Sequence, residues 1–353
     1  MIYAPVFMIT LNRYKHLKCA LESLKKNTWA KYTDVYIAVD YPPNDKYRSG
    51  YEKVCDYLDN SDFSDFHTFT VIKRNENFGA GKNSRDLRDF VESKYDRWIS
   101  AEDDIEFSET FIEYIDKCLE KYENDERVLA ISGYSYPLKW KMKEGANAFF
   151  QDGTYSAWGT GHWRDKSKEI RKKLEGTFLL DNFDSALKSG KLMKMTEGRK
   201  IEYVAYALAD VNSYLFSRPC DMTYGIYMAL CDKVVVVPAI SQTRNHGFDG
   251  SGLYCSKVLD KGGTPNSQNY GYENQPLNES KTFDLCVDES SESTACNHRI
   301  LDDFLYVPDY LKQFEKILMP IYKAVGKHAY VPIRHAIVVA KNLKKKTGRN
   351  NAR

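Results

Sequence analysis

The chain has 353 residues, of which 42% are hydrophobic and 28% charged, and its formal net charge is +2. That length accommodates one large domain with an appendage, or two domains, and the near-neutral balance gives no electrostatic reason to expect nucleic acid as a partner. No stretch of the sequence approaches the roughly 18 consecutive apolar residues needed to span a bilayer.

Eight cysteines, at 19, 55, 118, 220, 231, 255, 286 and 296, are scattered without a C-x-x-C pair or a zinc-type spacing. Met1 leads straight into the strand-like Ile2-Tyr3-Ala4-Pro5-Val6, so no secretory leader is expected. Free thiols in a reducing cytoplasm follow as the expectation. Aromatic residues make up 14% of the chain, with 26 Tyr and 5 Trp, a content that suits contacts with sugars and equally suits half-buried packing.

In chain order, Pro5–Thr10 is a continuous apolar run of strand length, ending at Thr10 and followed by the polar turn Leu11-Asn12-Arg13. Leu17, Ala20, Leu21 and Leu24 then recur at helical spacing. Asp34–Val39 reads as a second buried strand and ends in an acid, Asp40, before the break Tyr41–Asp45 and a helix over 47–59. Phe69–Ile72 is a third short strand. Gly79-Ala80-Gly81-Lys82-Asn83 follows as a glycine-bearing turn, with a helix from about 84 to 95 that carries Arg85. The glycines lack the full phosphate-loop spacing, and no Ser or Thr follows Lys82 directly. The segment is therefore read either as a turn that lets backbone approach a donor or as a structural turn.

Trp98–Glu106 is a strand that runs out of apolar residues into Glu102-Asp103-Asp104. Three adjacent carboxylates repel one another and resist burial. A hard divalent cation among them relieves both costs, and oxygen ligands of this kind suit Mg²⁺ or Mn²⁺. A helix near 108–122 and a fifth strand, Val128–Gly133, continue the alternation. Strands alternating with helices predict an α/β fold with a mostly parallel sheet covered on both faces. In such a sheet ligands bind beyond the carboxyl ends of the strands, where Asn12, Arg13, Asp40 and Glu102–Asp104 would converge.

Beyond 137 the rhythm becomes irregular. Phe149–Trp163 mixes glycines with aromatics, including Trp158, as a loop beside a reaction centre would. Residues 164–217 read as basic and mostly helical, Lys233–Pro238 as a strand, 239–252 as a polar glycine-bearing loop, and 256–298 as an extended segment. Helical patterning returns at 309–325. In the tail, Ile333, Ala336, Ile337, Val338, Val339 and Ala340 precede Lys341, Lys344, Lys345, Lys346 and Arg349. This pattern fits a helix lying on an anionic membrane surface, and equally a packed helix with a solvated basic end.

Pro5–Arg13, the strand ending at Asp40, and Glu102–Glu106 with Phe111-Ile112-Glu113-Tyr114 behind it resemble the GT-A glycosyltransferases. The resemblance is to the β-1,2-N-acetylglucosaminyltransferase family of N-glycan processing and to bacterial polysaccharide glycosyltransferases. It extends over about 5–255 through Gly153–Trp158, Pro238–Thr243 and His246-Gly247. The resemblance implies a GT-A, Rossmann-like nucleotide-diphospho-sugar fold, a UDP-sugar donor, Mn²⁺ or Mg²⁺, and inversion at the transferred sugar.

By matching position it implies Asp104 and His246 as metal ligands, Asp103 near the ribose and Glu102 at the donor sugar. Arg13 and Asp40 would hold the uridine, and Asn83 or Arg85 would make a further nucleotide contact. Thr10, Asn12, Gly79, Lys82 and Trp158 complete the donor set. The base would be Asp221, with Asp210 the alternative, because the interval from Trp158 is longer than in the family. Ala239 stands where the family has an acid.

The expected organisation is a transferase domain over 1–255, divided into a nucleotide-sugar half (1–135) and an acceptor half (136–255), with an extension over 256–353. The expected activity is transfer of a hexosyl or N-acetylhexosaminyl group to a glycan, as in capsule or O-antigen assembly. The acceptor is expected to be lipid-linked, with peripheral membrane contact through the basic tail. A sugar-nucleotide nucleotidyltransferase is the rival enzyme, though Leu11-Asn12-Arg13 lacks its glycine-rich loop. A non-catalytic nucleotide- or glycan-binding module is the rival from another class.

Overall fold

The structure is a computed structural model that describes residues 3–174, 178, 182, 221–252, 275–304, 320 and 324. Asp210, the repeat at 309–325 apart from two positions, and the basic tail lie outside the described residues.

The first half follows the alternation read from the sequence: β1 (Val6–Thr10), α1 (Tyr14–Lys25), β2 (Asp34–Val39), α2 (Asp45–Asn60), β3 (Thr68–Lys73), α3 (Gly79–Glu92) and β4 (Arg97–Glu102). Then come β5 (Ile105–Phe107), α4 (Phe111–Lys121), β6 (Val128–Ser132), β7 (Ala148–Gln151), β8 (Thr160–Trp163), α5 (Arg164–Leu174), α6 (Asp221–Cys231), β9 (Val234–Pro238), β10 (Thr243–Asn245), β11 (Val287–Asp288) and α7 (Ser291–Phe304). Nine strands form one sheet in the order β11-β7-β9-β6-β8-β4-β1-β2-β3, and β10 pairs with β5 in a separate two-stranded ribbon.

Most pairings are parallel, as buried strands joined by helices require; β8 runs against both β6 and β4, and β7 runs against β9. The fold is thus α/β, with a mixed, mostly parallel sheet and helices on both faces. Alternation along β1 explains the layering. Val6 and Met8 face a core with Leu17, Leu21 and Leu24 of α1, whereas Phe7 faces a second one with Leu87 and Val91 of α3. Leu17, Ala20, Leu21 and Leu24 are all fully buried, and each leucine contributes on the order of 1.5–3 kcal/mol.

Three differences from the sequence reading have local causes. Gly79–Asn83, read as a turn, forms the first turns of α3. Its cap is remote: the Asp40 carboxylate accepts from the backbone N–H of Phe78 and of Gly79, both at 2.8 Å. A local N-cap residue is therefore unnecessary. β8 lies inside the segment read as a loop, because Gly161 and His162 obscure its strand pattern. Within 256–298, read as extended, β11 adds to the sheet edge and a helix begins at Ser291.

Among the described residues, no helix is long and apolar enough to cross a membrane.

Candidate active site

The strand order reverses at β1. β2 and β3 follow on one side and β4 lies on the other, with Ile9 opposite Glu102 in register. A crevice forms at such a switch point, beyond the strand ends. Thr10 closes β1 and its Oγ1 donates to Asp103 Oδ2 at 2.7 Å across that point.

Arg13, just before α1, binds both following acids. Its Nη1 donates to Asp104 Oδ2 at 2.6 Å, and its Nη2 donates to Asp103 Oδ1. The rigid fork of a guanidinium suits this division between two carboxylates. Burial works against the charge, yet Asp103 and Asp104 hold the Arg13 pKa above its ordinary value. Gly50 of α2 supports the turn, since a Cβ there would stand 2.5 Å from the Asn12 carbonyl oxygen.

The acids differ in environment. Asp103 and Asp104 are buried, at 4% and 6% exposure. Enclosure raises the Asp103 pKa against the pull of Arg13. Glu102 reaches solvent. Although it is solvent-exposed, the protein packed around its carboxylate, then the charges of Asp104, Asp221 and Asp103, push its pKa up to about 8. That coupling puts Asp221, the first residue of α6, within electrostatic reach of the strand end, and its charge also acts on half-buried Tyr155. The other candidate base, Asp210, lies outside the described residues.

The ribbon of β5 and β10 closes the site from the far end of the chain. Asn245 lies opposite Ile105, and the next residue, His246, donates its backbone N–H to the Asp104 carbonyl at 2.8 Å. The chain then turns through Gly247–Asp249 against the acid itself. A Cβ on Gly247 would lie 2.2 Å from Asp104 Oδ2, so only glycine fits without displacing that carboxylate. The His246 ring, expected beside Asp104, has its Nε2 2.8 Å from Glu106 Oε2. Trp158 is half-buried and meets the rings of Tyr134 and Phe248 edge-on, at 4.5 and 5.7 Å between centroids.

Comparison with known proteins adds little. No family model matches the chain, and no curated protein matches it. Among solved structures it is similar to a mannosyltransferase from Pyrobaculum calidifontis in complex with GDP-Man and Mn²⁺, with 14% identity and a TM-score of 0.34 over 49% of this chain and 47% of that one. It is similar to S. aureus TarS 1–349 in complex with UDP, with 16% identity and a TM-score of 0.32 over 48% and 49% of the two chains. For mouse xyloside xylosyltransferase 1 the figures are 10% and 0.25, over 47% and 69%. The chain thus spans about half the length of the first two.

Other residues expected at the nucleotide are engaged within the protein. Asp40 is buried, and besides capping α3 it accepts from the Tyr41 N–H at 2.9 Å and from Asn77 Nδ2 at 3.3 Å. Asn83 is fully buried, accepts from Arg74 Nε at 2.9 Å and donates to the Ala38 carbonyl at 3.2 Å. Lys82 lies over the Phe78 ring at 3.6 Å from its centroid, and Arg85 is exposed on α3.

A divalent cation fits this donor set. Asp104 Oδ1 is buried and accepts no hydrogen bond from the described residues, while Oδ2 is held by Arg13. An orphaned carboxylate oxygen beside two further acids is costly as it stands, and it is the hard ligand that Mn²⁺ or Mg²⁺ takes. Gly50 as a support of the Asn12 turn, and the packing of Gly247 on Asp104, were not legible, because only the fold brings these residues together.

Proposed function

We propose that the chain is a metal-dependent, inverting glycosyltransferase of the GT-A class that moves a hexosyl or N-acetylhexosaminyl group from a UDP-sugar to a glycan acceptor. The observation that carries this reading is the grouping at the β1/β4 switch point. There Arg13 grips Asp103 and Asp104, Asp104 keeps one buried oxygen unpartnered among the described residues, and Asp221 acts on Glu102.

In this reading Asp104 holds the cation, with Asp103 beside it. When bound, the cation offsets the charge that develops on the departing diphosphate. Thr10 and Arg13 fix the orientation of Asp103 and Asp104. Asp221 accepts the proton of the acceptor hydroxyl as its oxygen bonds to the anomeric carbon. The bond from that carbon to the diphosphate oxygen breaks on the opposite face, so UDP leaves with the electron pair and the configuration inverts. Glu102 serves the donor sugar's hydroxyls and Trp158 offers a ring face to the sugar. Asp210 remains the alternative base in the sequence.

The acceptor is a glycan intermediate of bacterial surface polysaccharide carried on a lipid, and the basic tail meets the membrane at the cytoplasmic face. Sedimentation with anionic vesicles tests the last point: a chain lacking 331–353 that sediments like the full chain removes it.

The deciding assay is UDP release from a panel of UDP-sugars with Mn²⁺. Turnover of one donor is expected, abolished by EDTA and by Asp104→Ala. Asp221→Asn should retain donor binding and lose transfer. If no UDP- or GDP-sugar binds, the reading fails in favour of a non-catalytic module.

A further inference from the structure

A second cluster of ligating side chains lies where α1 meets the β5–β10 ribbon, just before Gly247. Glu106 of β5 and Arg244 of β10 are opposite in register, and His246, the first residue past β10, reaches the same Glu106 carboxylate. Cys19 of α1 meets that face. One ligand atom from each of Cys19, Glu106 and His246 lies within 4.8 Å of the others. His246 Nε2 and Arg244 Nη1 both contact Glu106 Oε2, at 2.8 and 3.1 Å. The rest of the Arg244 fork donates to the Gln275 carbonyl at 3.0 and 2.8 Å.

A thiolate, an imidazole and a carboxylate are not a Mn²⁺ or Mg²⁺ set; they are the mixed S, N and O donors that zinc takes. Zinc–ligand lengths of about 2.0–2.3 Å place tetrahedral donors roughly 3.3–3.8 Å apart, so small side-chain shifts would bring these three together. With three protein ligands, a fourth position is left for water. Arg244 already grips the carboxylate and would fix its orientation from outside, as neighbours of metal ligands do.

We propose that Cys19, Glu106 and His246 form a binding site for a zinc-class cation, separate from the Asp104 site and built where α1 meets the β5–β10 ribbon. On binding, the Cys19 thiol gives its proton to solvent and the sulfur bonds to the cation. The cation then ties α1 to the ribbon one residue before Gly247, the residue packed on Asp104. Because His246 also donates its backbone N–H to Asp104, occupancy of this site holds the wall of the acid cluster in place.

The test uses the full chain stripped of metal and titrated with Co²⁺, whose thiolate complexes show a sulfur-to-metal charge-transfer band. One thiolate-bound Co²⁺ per chain is expected, displaced by Zn²⁺ and not by Mg²⁺. The band should vanish in Cys19→Ser and persist in Asp104→Ala, which separates this site from the proposed catalytic one. Glu106→Gln should weaken Zn²⁺ binding by roughly 10–100-fold or more, since even outer neighbours of ligands cost that much. A second readout needs no variant: Zn²⁺, but not Mg²⁺, should protect Cys19 from alkylation, as mapped by peptide mass spectrometry. Absence of a thiolate band in the wild type, its survival in Cys19→Ser, or unprotected Cys19 at saturating Zn²⁺ would each overturn the proposal.

Discussion

Replacing Arg13 by methionine tests whether a single guanidinium is the resident counter-charge of the acid cluster. Methionine keeps much of the side chain's length and removes the fork. The Asp103 and Asp104 side chains are 5% and 6% exposed and that of Arg13 is 20% exposed, so both ion pairs are largely withdrawn from water. Removing one partner of a buried pair costs about 3–5 kcal/mol. Here two pairs are lost, but proton uptake by one of the crowded acids caps the penalty. A cost of about 3 kcal/mol at neutral pH follows, at the low end because Arg13 is partly wet.

Unfolding entropies near 2.1 cal/mol/K per residue give about 0.7 kcal/mol/K for 353 residues, so Tm should fall by about 4 °C. Two features identify the cause. The deficit should shrink at lower pH, as the acids protonate, and it should shrink when Mn²⁺ is added, as the cation replaces the lost charge. Differential scanning calorimetry with and without Mn²⁺, at two pH values, reads all three effects. An Arg13→Met chain that melts with the wild type, or whose deficit ignores both Mn²⁺ and pH, would refute the reasoning.

Gly247→Ala places a methyl group 2.2 Å from Asp104 Oδ2, so the carboxylate must move. A loss of about 1–3 kcal/mol in stability is expected from overpacking, together with weakened Mn²⁺ binding by calorimetry, and an alanine chain with wild-type Mn²⁺ affinity would show that the contact does not matter. Asp116 of α4 is fully buried and accepts from the Ala4 N–H at 3.0 Å; burial pushes its pKa up to about 8 from an ordinary value of 3.8. Its contribution is full below pH 3.8 and is lost as pH rises through about 8, since the folded state holds the proton that the unfolded state releases. The stability of the wild type relative to Asp116→Asn should therefore decline from pH 5 to pH 8 by about 3–4 kcal/mol in denaturant titrations, and a constant difference would contradict the assignment.

What could be read from the sequence was whatever local periodicity encodes. Most of the strands and helices from Val6 to Ser132 announce themselves through apolar runs and the spacing of Leu17, Ala20, Leu21 and Leu24. Arg13, Asp103 and Asp104 were each visible as candidates because they sit at strand ends, and the fold does join them. What escaped depends on distant partners. The start of α3 is set by Asp40, 38 positions away from Phe78, so no cap residue marks it. β5 and β10 are three residues each, too short to carry a period, yet they return Gly247 to Asp104. The same long-range pairing explains why Cys19, Glu106 and His246 show no ligand spacing along the chain.

The placement of β8 bears on how the chain is made. During synthesis, β1 to β4 emerge with α1 to α3 and can pair among themselves, as β3-β2-β1-β4. The outer edge of β4 stays bare until residues 160–163 appear to cover it, and β5 waits longer still, for Thr243–Asn245. A nascent chain therefore exposes a strand edge next to its acid cluster through the translation of tens of residues, a window open to mispairing with other chains. Ribosome-bound chains arrested before residue 160 are where a chaperone's protection would matter most.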